Sequence, residues 1–325
     1  MKLYRFVKTY AITMNIKKIP HYISVIILSL LLYSCSKDDK PNSPPIDSNK
    51  PKMKIPIVVH VVNYAPDPFE ISDEKIKSQI EVLNKDFRKL NDDWQKTPNI
   101  FIDLVADIQI EFYLATTAPD GTPTTGIIRN ESDLISGDGK SLDPNPVIED
   151  LPLYFTEKGG QDAWPKDKYL NIWIADFIDR NGEIGFAGYA NPPGSDYRID
   201  GVVIDPRVFG LLPPLDENHT LGRTATHEIG HWLNLIHTYG KNGACENTPE
   251  NGDYVDDTPS QFASSHGKPT FPRVSCGSID MTMNYMDYSD DDSMYMFTKG
   301  QKERMWALFA QGGLRRKLFE NCRLN

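Results

Sequence analysis

The chain has 325 residues, of which 39% are hydrophobic and 25% are charged. This is the composition of a globular protein long enough to bury a sizeable core, and it excludes a disordered or fibrous chain. The formal net charge is −10, which argues against nucleic acid as a partner because phosphate binding needs a basic surface.

The first 34 residues are predicted to be a signal peptide. They contain five basic residues and no acidic ones, and they end in the apolar run Ile23–Tyr33. A membrane-spanning helix needs about 20 apolar residues, so this shorter run is expected to be cleaved off. Its removal takes away five of the 35 basic residues and none of the 45 acidic ones, so the net charge becomes −15. Met14 is an alternative start of the same signal.

Cys35 is predicted to carry a lipid. The sequence Leu32-Tyr33-Ser34-Cys35 resembles a bacterial lipobox, in which the cysteine is diacylated and becomes the mature N-terminus. The following Ser36-Lys37-Asp38-Asp39 resembles the export signal of surface lipoproteins in the Bacteroidetes. We therefore expect an outer-membrane lipoprotein exposed at the cell surface, with residues 35–53 as a lipidated, flexible tether. The alternative is an ordinary secretory signal that happens to end near a cysteine.

The segments after the tether predict alternating strands and helices. A helix is expected from Ser72, its N-cap, to about Leu90, because apolar residues recur on one face: Ile76, Ile80, Leu83 and Phe87. Apolar runs predict strands at 55–62, 108–114, 169–177 and 201–204, with an edge strand at 185–190. Strands with helices between them indicate an α/β lobe with a mixed sheet.

The chain becomes irregular after residue 241. The segment 241–292 is rich in Gly, Asn, Asp and Pro, and such a long loop in a compact domain is usually functional or held by ligands. A final helix is predicted from about Gly300 to Phe319, with Thr298 as its N-cap. With Cys35 assigned to lipid, three cysteines remain, so one disulfide and one odd thiol are expected in an oxidising compartment.

A His-Glu-x-x-His motif predicts a zinc site. His227 and His231 lie four residues apart in a segment compatible with a helix over 222–235, so both imidazoles can reach one ion, while Glu228 points toward the substrate side. His237 supplies a third ligand and water the fourth. For His237 to turn back to the metal, the helix must end sharply near Asn234. Asparagine suits this position because it is the non-glycine residue best able to adopt left-handed geometry. The alternative is that these are structural histidines of an amphipathic helix.

The motifs of residues 222–305 resemble a known family. His227–His237, Asp257-Thr258-Pro259, Ser275-Cys276 and Met283–Tyr288 resemble the pappalysin family of metzincin zinc metalloproteases, particularly its ulilysin- and cytophagalysin-like members. The similarity covers most of residues 54–312. It implies an α/β (α+β) zincin fold over residues 54–325. An upper lobe, about 54–234, holds a mixed twisted sheet and the active-site helix, and an irregular lower lobe, about 235–325, holds a Met-turn and a terminal helix.

The resemblance also implies roles for residues outside the zinc motif. Met286 matches the Met-turn methionine below the zinc, and Tyr288 matches the tyrosine that hydrogen-bonds the developing oxyanion. Cys245 and Cys276 match one of the two disulfides that the family typically has in this lobe, whereas Cys322 matches nothing in it. A plain core methionine and a packing tyrosine are the alternatives for Met286 and Tyr288.

Two further sites are implied by the resemblance alone. Val255, Asp257 and Thr258 fall in the family's calcium loop, and oxygen donors suit this cation. Asp291 matches an aspartate, five residues after the Met-turn methionine, that selects Arg or Lys after the scissile bond. An uncoordinated acidic loop is the alternative for the first site, and a carboxylate cluster that only solvates a loop or binds calcium is the alternative for the second.

The sequence therefore predicts a zinc endopeptidase that hydrolyses internal bonds of protein or peptide substrates, before Arg or Lys. Glu228 is expected to act as the general base, and the membrane is expected to be contacted only through the lipid on Cys35. The alternatives are a catalytically idle surface-binding lipoprotein on the same scaffold and a zinc exopeptidase. The first would be indicated by a replaced Glu228 or zinc ligand, and the second needs a group that captures a free terminus, which the sequence does not identify.

Overall fold

The computed structural model of the chain describes residues 51–64, 71–132, 147–176, 187–241, 243–245, 248 and 251–324. These residues belong to one compact unit that runs from Ser48 to Asn325. The predicted signal peptide, Cys35 and the tether up to residue 50 lie outside the described residues, so their assignment stays a prediction. The boundaries proposed for the tether and for the two lobes also stay predictions.

A long first strand, β1 (Met53–Tyr64), organises the main sheet. Its first half pairs with β2 (Ile110–Leu114) and its second half with β3 (Ile127–Ser132). On its other edge, β1 pairs with β4 (Leu170–Ile174), which is followed by β6 (Gly201–Ile204) and by β5 (Gly188–Ala190). All pairs are parallel except that of β5 with β6. The sheet is therefore mixed, as predicted.

The predicted strands lie where they were expected, but some differ in length from the prediction. Strands buried on both faces read as continuous apolar runs, which made β1, β4 and β6 visible in the sequence. The strand expected over 169–177 is shorter, Leu170–Ile174, and Phe177 and Gly185 lie outside the described residues. β3 was missed, since its sequence is largely polar and it is a strand because β1 offers it backbone partners.

The first helix, α1 (Asp73–Phe87), follows the predicted periodicity. The Ser72 side chain accepts a hydrogen bond from the Lys75 backbone N–H at 3.1 Å, which confirms the N-cap. All four predicted apolar positions of the helix are buried. The helix ends at Phe87 rather than near Leu90, because Lys89 adopts a left-handed φ of 52°.

The prediction of one terminal helix from Gly300 to Phe319 is wrong. The structure has two helices in this segment, α3 (Lys299–Ala307) and α4 (Arg316–Cys322), and the helix that precedes them is α2 (Arg223–Trp232). Gly312, at φ +80°, breaks the continuity, and a Cβ on Gly313 would lie 2.2 Å from the carbonyl oxygen of Leu308. The predicted N-cap Thr298 is confirmed, since it forms a reciprocal capping box with Gln301.

The segment between α2 and α3 is irregular, as predicted. Its described strands are the short hairpin β7 (Val274–Ser275) and β8 (Ser278–Ile279). Cys245 and Cys276 form the expected disulfide, with their Cα atoms 5.0 Å apart, and Cys322 is a buried free thiol. None of the helices within the described ranges is long and apolar enough to cross a membrane.

Candidate metal centre and active site

Helix α2 lies between the sheet and the lower segment and carries the His-Glu-x-x-His motif. It packs against β5, β6 and α1. Gly222 is the N-cap of this helix and has a left-handed φ of +70°. A Cβ on Gly222 would lie only 2.8 Å from the Gln79 side chain, so the position favours glycine. The Asp291 carboxylate accepts hydrogen bonds from the backbone N–H groups of Leu221 at 2.8 Å and Arg223 at 3.2 Å. An acceptor at this end satisfies N–H groups that have no partner within a helix.

The three predicted zinc ligands converge on one point. The Nε2 atoms of His227, His231 and His237 lie 3.0, 3.0 and 3.2 Å apart in the three pairs. Tetrahedral coordination at 2.0–2.1 Å separates nitrogen ligands by about 3.3 Å, so the spacing fits a zinc ion. No other set of three His, Cys, Asp or Glu side chains within the described residues meets the same distance criterion for a metal.

The opposite ring nitrogens fix how two of these imidazoles are protonated. His227 Nδ1 lies 2.7 Å from the Tyr285 carbonyl oxygen, and His231 Nδ1 lies 2.8 Å from that of Leu235. A carbonyl only accepts, so each Nδ1 carries the proton and each Nε2 presents a lone pair. Burial lowers the pKa of His227 and His231 below the usual value of 6.5. It lowers the pKa of His237 to about 3. Three neutral imidazoles whose Nε2 atoms converge, two of them with the lone pair fixed on Nε2, are a donor set for a cation.

A left-handed turn returns the chain to the metal centre. Asn234 has a φ of 76°, as predicted, and the helix ends just before it. Arg304 Nε donates to the Asn234 carbonyl at 2.6 Å, and Arg315 Nε donates to that of Trp232 at 3.2 Å. Arg304 and Arg315 therefore satisfy carbonyls that have no helical partner at the end of α2. The left-handed turn at Asn234 brings His237 back toward the helix.

The side chain of Met286 packs directly beneath α2. It is fully buried, and a Cβ on Gly230 would lie 2.5 Å from its sulfur. The preceding Tyr285 carbonyl is the partner of His227 Nδ1. Tyr285 and Met286, in the predicted Met-turn, therefore contact His227 through a backbone carbonyl and α2 through a buried methionine.

Tyr288 lies at the open side of the centre. Its ring centroid is 4.7 Å from that of His237 and 5.4 Å from that of His227, and the residue is 44% exposed. Its phenol is hydrogen-bonded to Tyr239, and partial burial raises the pKa of Tyr288, so the hydroxyl keeps its proton. Tyr239 itself stacks on His237 at 4.7 Å with an interplanar angle of 14°. The sequence analysis missed Tyr239, which lies two residues after a ligand and carries no motif of its own.

Glu228 lies on α2 facing the edge strand β5. It is buried, and a Cβ on Gly188 of β5 would lie 3.3 Å from Glu228 Cγ and 2.8 Å from the Val203 carbonyl oxygen. Glycine at this position therefore lets the strand approach the carboxylate closely.

The three consecutive aspartates after the Met-turn have different environments. Asp291 is 1% exposed, and its Oδ1 has no hydrogen-bond partner among the described residues, while Oδ2 accepts the two N–H groups at the start of α2. Asp292 pairs with Lys268 at 2.5 Å on the surface. Asp290 is only partly buried. Burial raises the pKa of Asp291, while the backbone N–H groups of Leu221 and Arg223 and the nearby His219 and Arg223 side chains act in the opposite direction.

The predicted calcium ligands lie in one loop but are already hydrogen-bonded. Asp257 accepts from the Thr298 hydroxyl at 2.6 Å and from the Gly300 N–H at 2.8 Å, so it caps α3. The Thr258 hydroxyl lies 2.6 Å from the Asp253 carboxylate and 2.9 Å from the Val255 carbonyl. Burial raises the pKa of Asp253 to about 6. The sequence analysis missed this aspartate.

The chain is similar to extracellular metalloproteases of fungi. The peptidase M43 family model, described as pregnancy-associated plasma protein-A, matches residues 156–310. Extracellular metalloprotease 1 of Coccidioides posadasii is 33% identical over 235 residues, which cover 65% of this chain and 80% of that protein. An extracellular metalloprotease of Sordaria macrospora is 43% identical over 149 residues, 44% of this chain and 49% of that protein. The chain thus spans about half the length of this second relative.

Solved structures with the same fold come from Tannerella forsythia. Its mature mirolysin, in complex with a cleaved peptide, has a TM-score of 0.74 at 38% identity, covering 84% of this chain and 99% of that one. A complex of mirolysin with a compound has a TM-score of 0.72 at 39% identity, covering 83% and 96%. The mostly parallel sheet, the metal-binding helix and the histidine triad match the mirolysin fold.

Proposed function

Because this chain belongs to the pappalysin (peptidase M43) family of metzincin metallopeptidases, we propose that it is a secreted zinc endopeptidase that hydrolyses internal bonds of protein or peptide substrates. The observation that carries the proposal is the convergence of three histidine Nε2 atoms within 3.2 Å beside Glu228. His227, His231 and His237 would hold the ion. When bound, zinc lowers the pKa of a water toward about 7 and polarises a carbonyl.

Glu228 supplies the proton transfers in this proposal. It is on the same helix as two of the ligands and is not itself one of the converging groups. We infer that its carboxylate accepts a proton from the attacking water and passes it to the nitrogen of the leaving amine. Its burial and the close approach of Gly188 hold it beside the strand along which a substrate would lie.

Tyr288 is proposed to donate its hydroxyl proton in a hydrogen bond to the oxygen that gains charge as the peptide bond is attacked. Three features support this role: the ring is next to two of the ligands, it is partly exposed, and its raised pKa keeps the donor protonated. The bond to Tyr239 would have to be exchanged for the one to the substrate.

The substrate is proposed to bind in extended form along β5. This strand is the last of the described sheet, it packs against α2, and it is antiparallel to its neighbour. An extended peptide can extend such a sheet through backbone hydrogen bonds, which gives affinity without dictating sequence.

We propose that Asp291 gives the enzyme its preference for Arg or Lys after the cut bond. A buried carboxylate oxygen without a partner is costly unless a cation pairs with it, and an Arg or Lys side chain of the substrate can supply that cation. The unpartnered Oδ1 of Asp291 supports this assignment, whereas the surface pair of Asp292 with Lys268 does not compete for the role.

Calcium is proposed as a structural ion at the loop of Val255, Asp257 and Thr258. The loop collects carboxylate, hydroxyl and carbonyl oxygens, which are the ligands this cation prefers. The buried Asp253, whose pKa is raised to about 6, adds a carboxylate that a bound cation would stabilise in its charged form.

The chain is proposed to leave the cytoplasm and to stay attached to the outer membrane through lipid on Cys35. Its relatives are named extracellular metalloproteases, which supports secretion. The attachment and the cell-surface location rest on the lipobox and on the export-signal resemblance in the sequence.

The proposal is tested by measuring zinc content and proteolysis of casein or gelatin for the wild type and for Glu228→Ala. The variant is expected to keep its zinc and its unfolding temperature while activity falls by about 10²-fold or more, because only the base is removed. Glu228→Gln is the matched control for shape, and it should be as inactive as the alanine variant. Undiminished activity in both variants would refute the role of Glu228, and a zinc-loaded wild type that cleaves nothing would favour an idle binding protein.

A further inference from the structure

A buried carboxylate on α1 lies behind the metal centre. Asp86 is 4% exposed. Its Oδ2 accepts a hydrogen bond from the Thr226 hydroxyl at 2.8 Å, and its Oδ1 accepts one from the Tyr285 hydroxyl at 2.8 Å. One side chain of α1 therefore ties together the metal-binding helix and the Met-turn segment, which are about 60 residues apart in the sequence.

Both partners of Asp86 are next to the same ligand. Thr226 directly precedes His227 on α2. The Tyr285 carbonyl oxygen accepts the Nδ1–H of His227 at 2.7 Å. Fixing the Tyr285 ring fixes the backbone that carries this carbonyl, and the carbonyl sets the orientation and tautomer of the imidazole.

We propose that Asp86 is a positioning residue for zinc, which acts on His227 through Tyr285 and Thr226. The inference rests on the zinc site of the proposed function. Partners of metal-binding histidines contribute about 10- to 100-fold to metal affinity, so the loss of this arrangement has a measurable effect on the metal itself.

A nearby arginine explains how a buried charge is tolerated at this position. Arg223 lies 3.8 Å from Asp86 and forms a bidentate pair with Asp93 at 2.7 and 2.8 Å. A buried carboxylate needs hydrogen bonds and a counter-charge, and Asp86 has two hydroxyl donors and this guanidinium. Among the described residues, Asp93 bonds to Arg223 and Asn91 but not to Thr226 or Tyr285.

That difference makes Asp93 the matched control. Zinc dissociation constants are measured on the purified full chain by competition with a chelator, for the wild type, Asp86→Asn, Tyr285→Phe and Asp93→Asn, and the unfolding temperature of each variant is recorded separately. Asp86→Asn and Tyr285→Phe are expected to bind zinc about tenfold or more weakly. Asp93→Asn should unfold at a lower temperature but lose less zinc affinity than either of these variants, because Asp93 reaches Asp86 and Tyr285 only through Arg223.

The phenylalanine variant keeps the experiment decisive if Asp86→Asn does not fold, since it removes a single hydroxyl. Folded Tyr285→Phe and Asp86→Asn proteins that bind zinc as tightly as the wild type would reduce Asp86 to a packing role and overturn the inference. A wild type that binds no zinc would instead refute the proposed function, so the two failures are distinguishable.

Discussion

Gly230 and Met286 meet at a distance that leaves no room for a side chain on the helix. A Cβ on Gly230 would lie 2.5 Å from the Met286 sulfur and 3.3 Å from its terminal methyl carbon. Glycine inside a helix costs about 1 kcal/mol relative to alanine. The helix carries this cost because the methionine occupies the space beneath the metal centre.

Gly230→Ala is therefore expected to destabilise the protein. The gain in helix propensity, about 1 kcal/mol, is smaller than the cost of overpacking, about 1–3 kcal/mol. Zinc affinity should also fall, because the Met286 side chain is fully buried and its displacement disturbs the packing beneath the histidine cluster. Denaturant unfolding and chelator competition measure the two effects.

The control for this prediction is the same substitution in a Met286→Ala background. With the sulfur gone, Gly230→Ala should become neutral or stabilising, and the two changes should couple strongly in a double-mutant cycle. Additive effects would mean that the contact between the two residues does not explain the glycine.

Asp291→Asn is expected to abolish the preference for Arg or Lys after the cut bond. Asparagine can keep an oxygen on the N–H groups of Leu221 and Arg223 but has no charge to pair with a cation. Alanine would also remove the two hydrogen bonds at the start of α2 and so confuse specificity with stability. Mapping of cleavage sites in a peptide library measures the preference.

Asp292→Asn is the matched control for the pocket. Asp292 is exposed and paired with Lys268, so its loss should leave the cleavage profile unchanged. A wild-type profile dominated by apolar residues after the cut bond would contradict the pocket assignment, as would a basic preference that survives Asp291→Asn.

A buried histidine on the central strand is expected to make the fold sensitive to acid. His60 Nε2 lies 2.9 Å from Asn171 Oδ1, and this oxygen also accepts the Trp164 N–H, so Nε2 carries the proton of a neutral ring. The Nδ1 of His60 has no partner among the described residues. The ring stacks on Trp173, and burial lowers its pKa from 6.5 to about 4.

The sign of the pH effect follows from this lowered pKa. Between pH 6.5 and about 4 the unfolded chain binds a proton at His60 that the folded chain does not, so stability is lost as the pH falls through this window. The loss should reach about 3 kcal/mol near pH 4 and then level off. The free energy of unfolding is measured with denaturant at several pH values for the wild type and for His60→Phe, both freed of zinc. The difference between the two proteins isolates the contribution of His60. A difference that does not vary over this pH range would refute it.

Cys35→Ser is expected to release the protein from the membrane fraction, because a single lipidated residue is the only attachment that the sequence predicts. Cell fractionation measures the release, and protease treatment of intact cells measures surface exposure. Retention of the serine variant in the membrane would contradict the lipid assignment, whereas protection of the wild type from protease would place it on the periplasmic side.

The sequence predicted those parts of the site that depend on local spacing. The four-residue spacing of His227 and His231 places two rings on one face of any α-helix, and an asparagine at 234 can adopt the left-handed turn that returns His237 to them. The caps of α1 and α3 were likewise correct, since Ser72 and Thr298 bond to backbone only three residues away.

Local reasoning failed where a partner distant in sequence decides the conformation. The polar strand β3 exists because the second half of β1 offers it hydrogen bonds. The sequence did not predict the break between α3 and α4. The need for glycine at Gly313 comes from the nearby backbone of Leu308, and that contact exists only in the folded chain.

What the sequence by itself determined is the chemical content of the site: three imidazoles, one carboxylate and the helix that carries most of them. Only the tertiary structure decided which groups orient that content, such as Tyr239 on His237 and Asp86 on the Tyr285 hydroxyl. The reason is physical. The period of a helix fixes which of its own side chains lie together, whereas a hydrogen bond between α1 and the Met-turn forms only when packing brings two segments, 199 residues apart, within 2.8 Å.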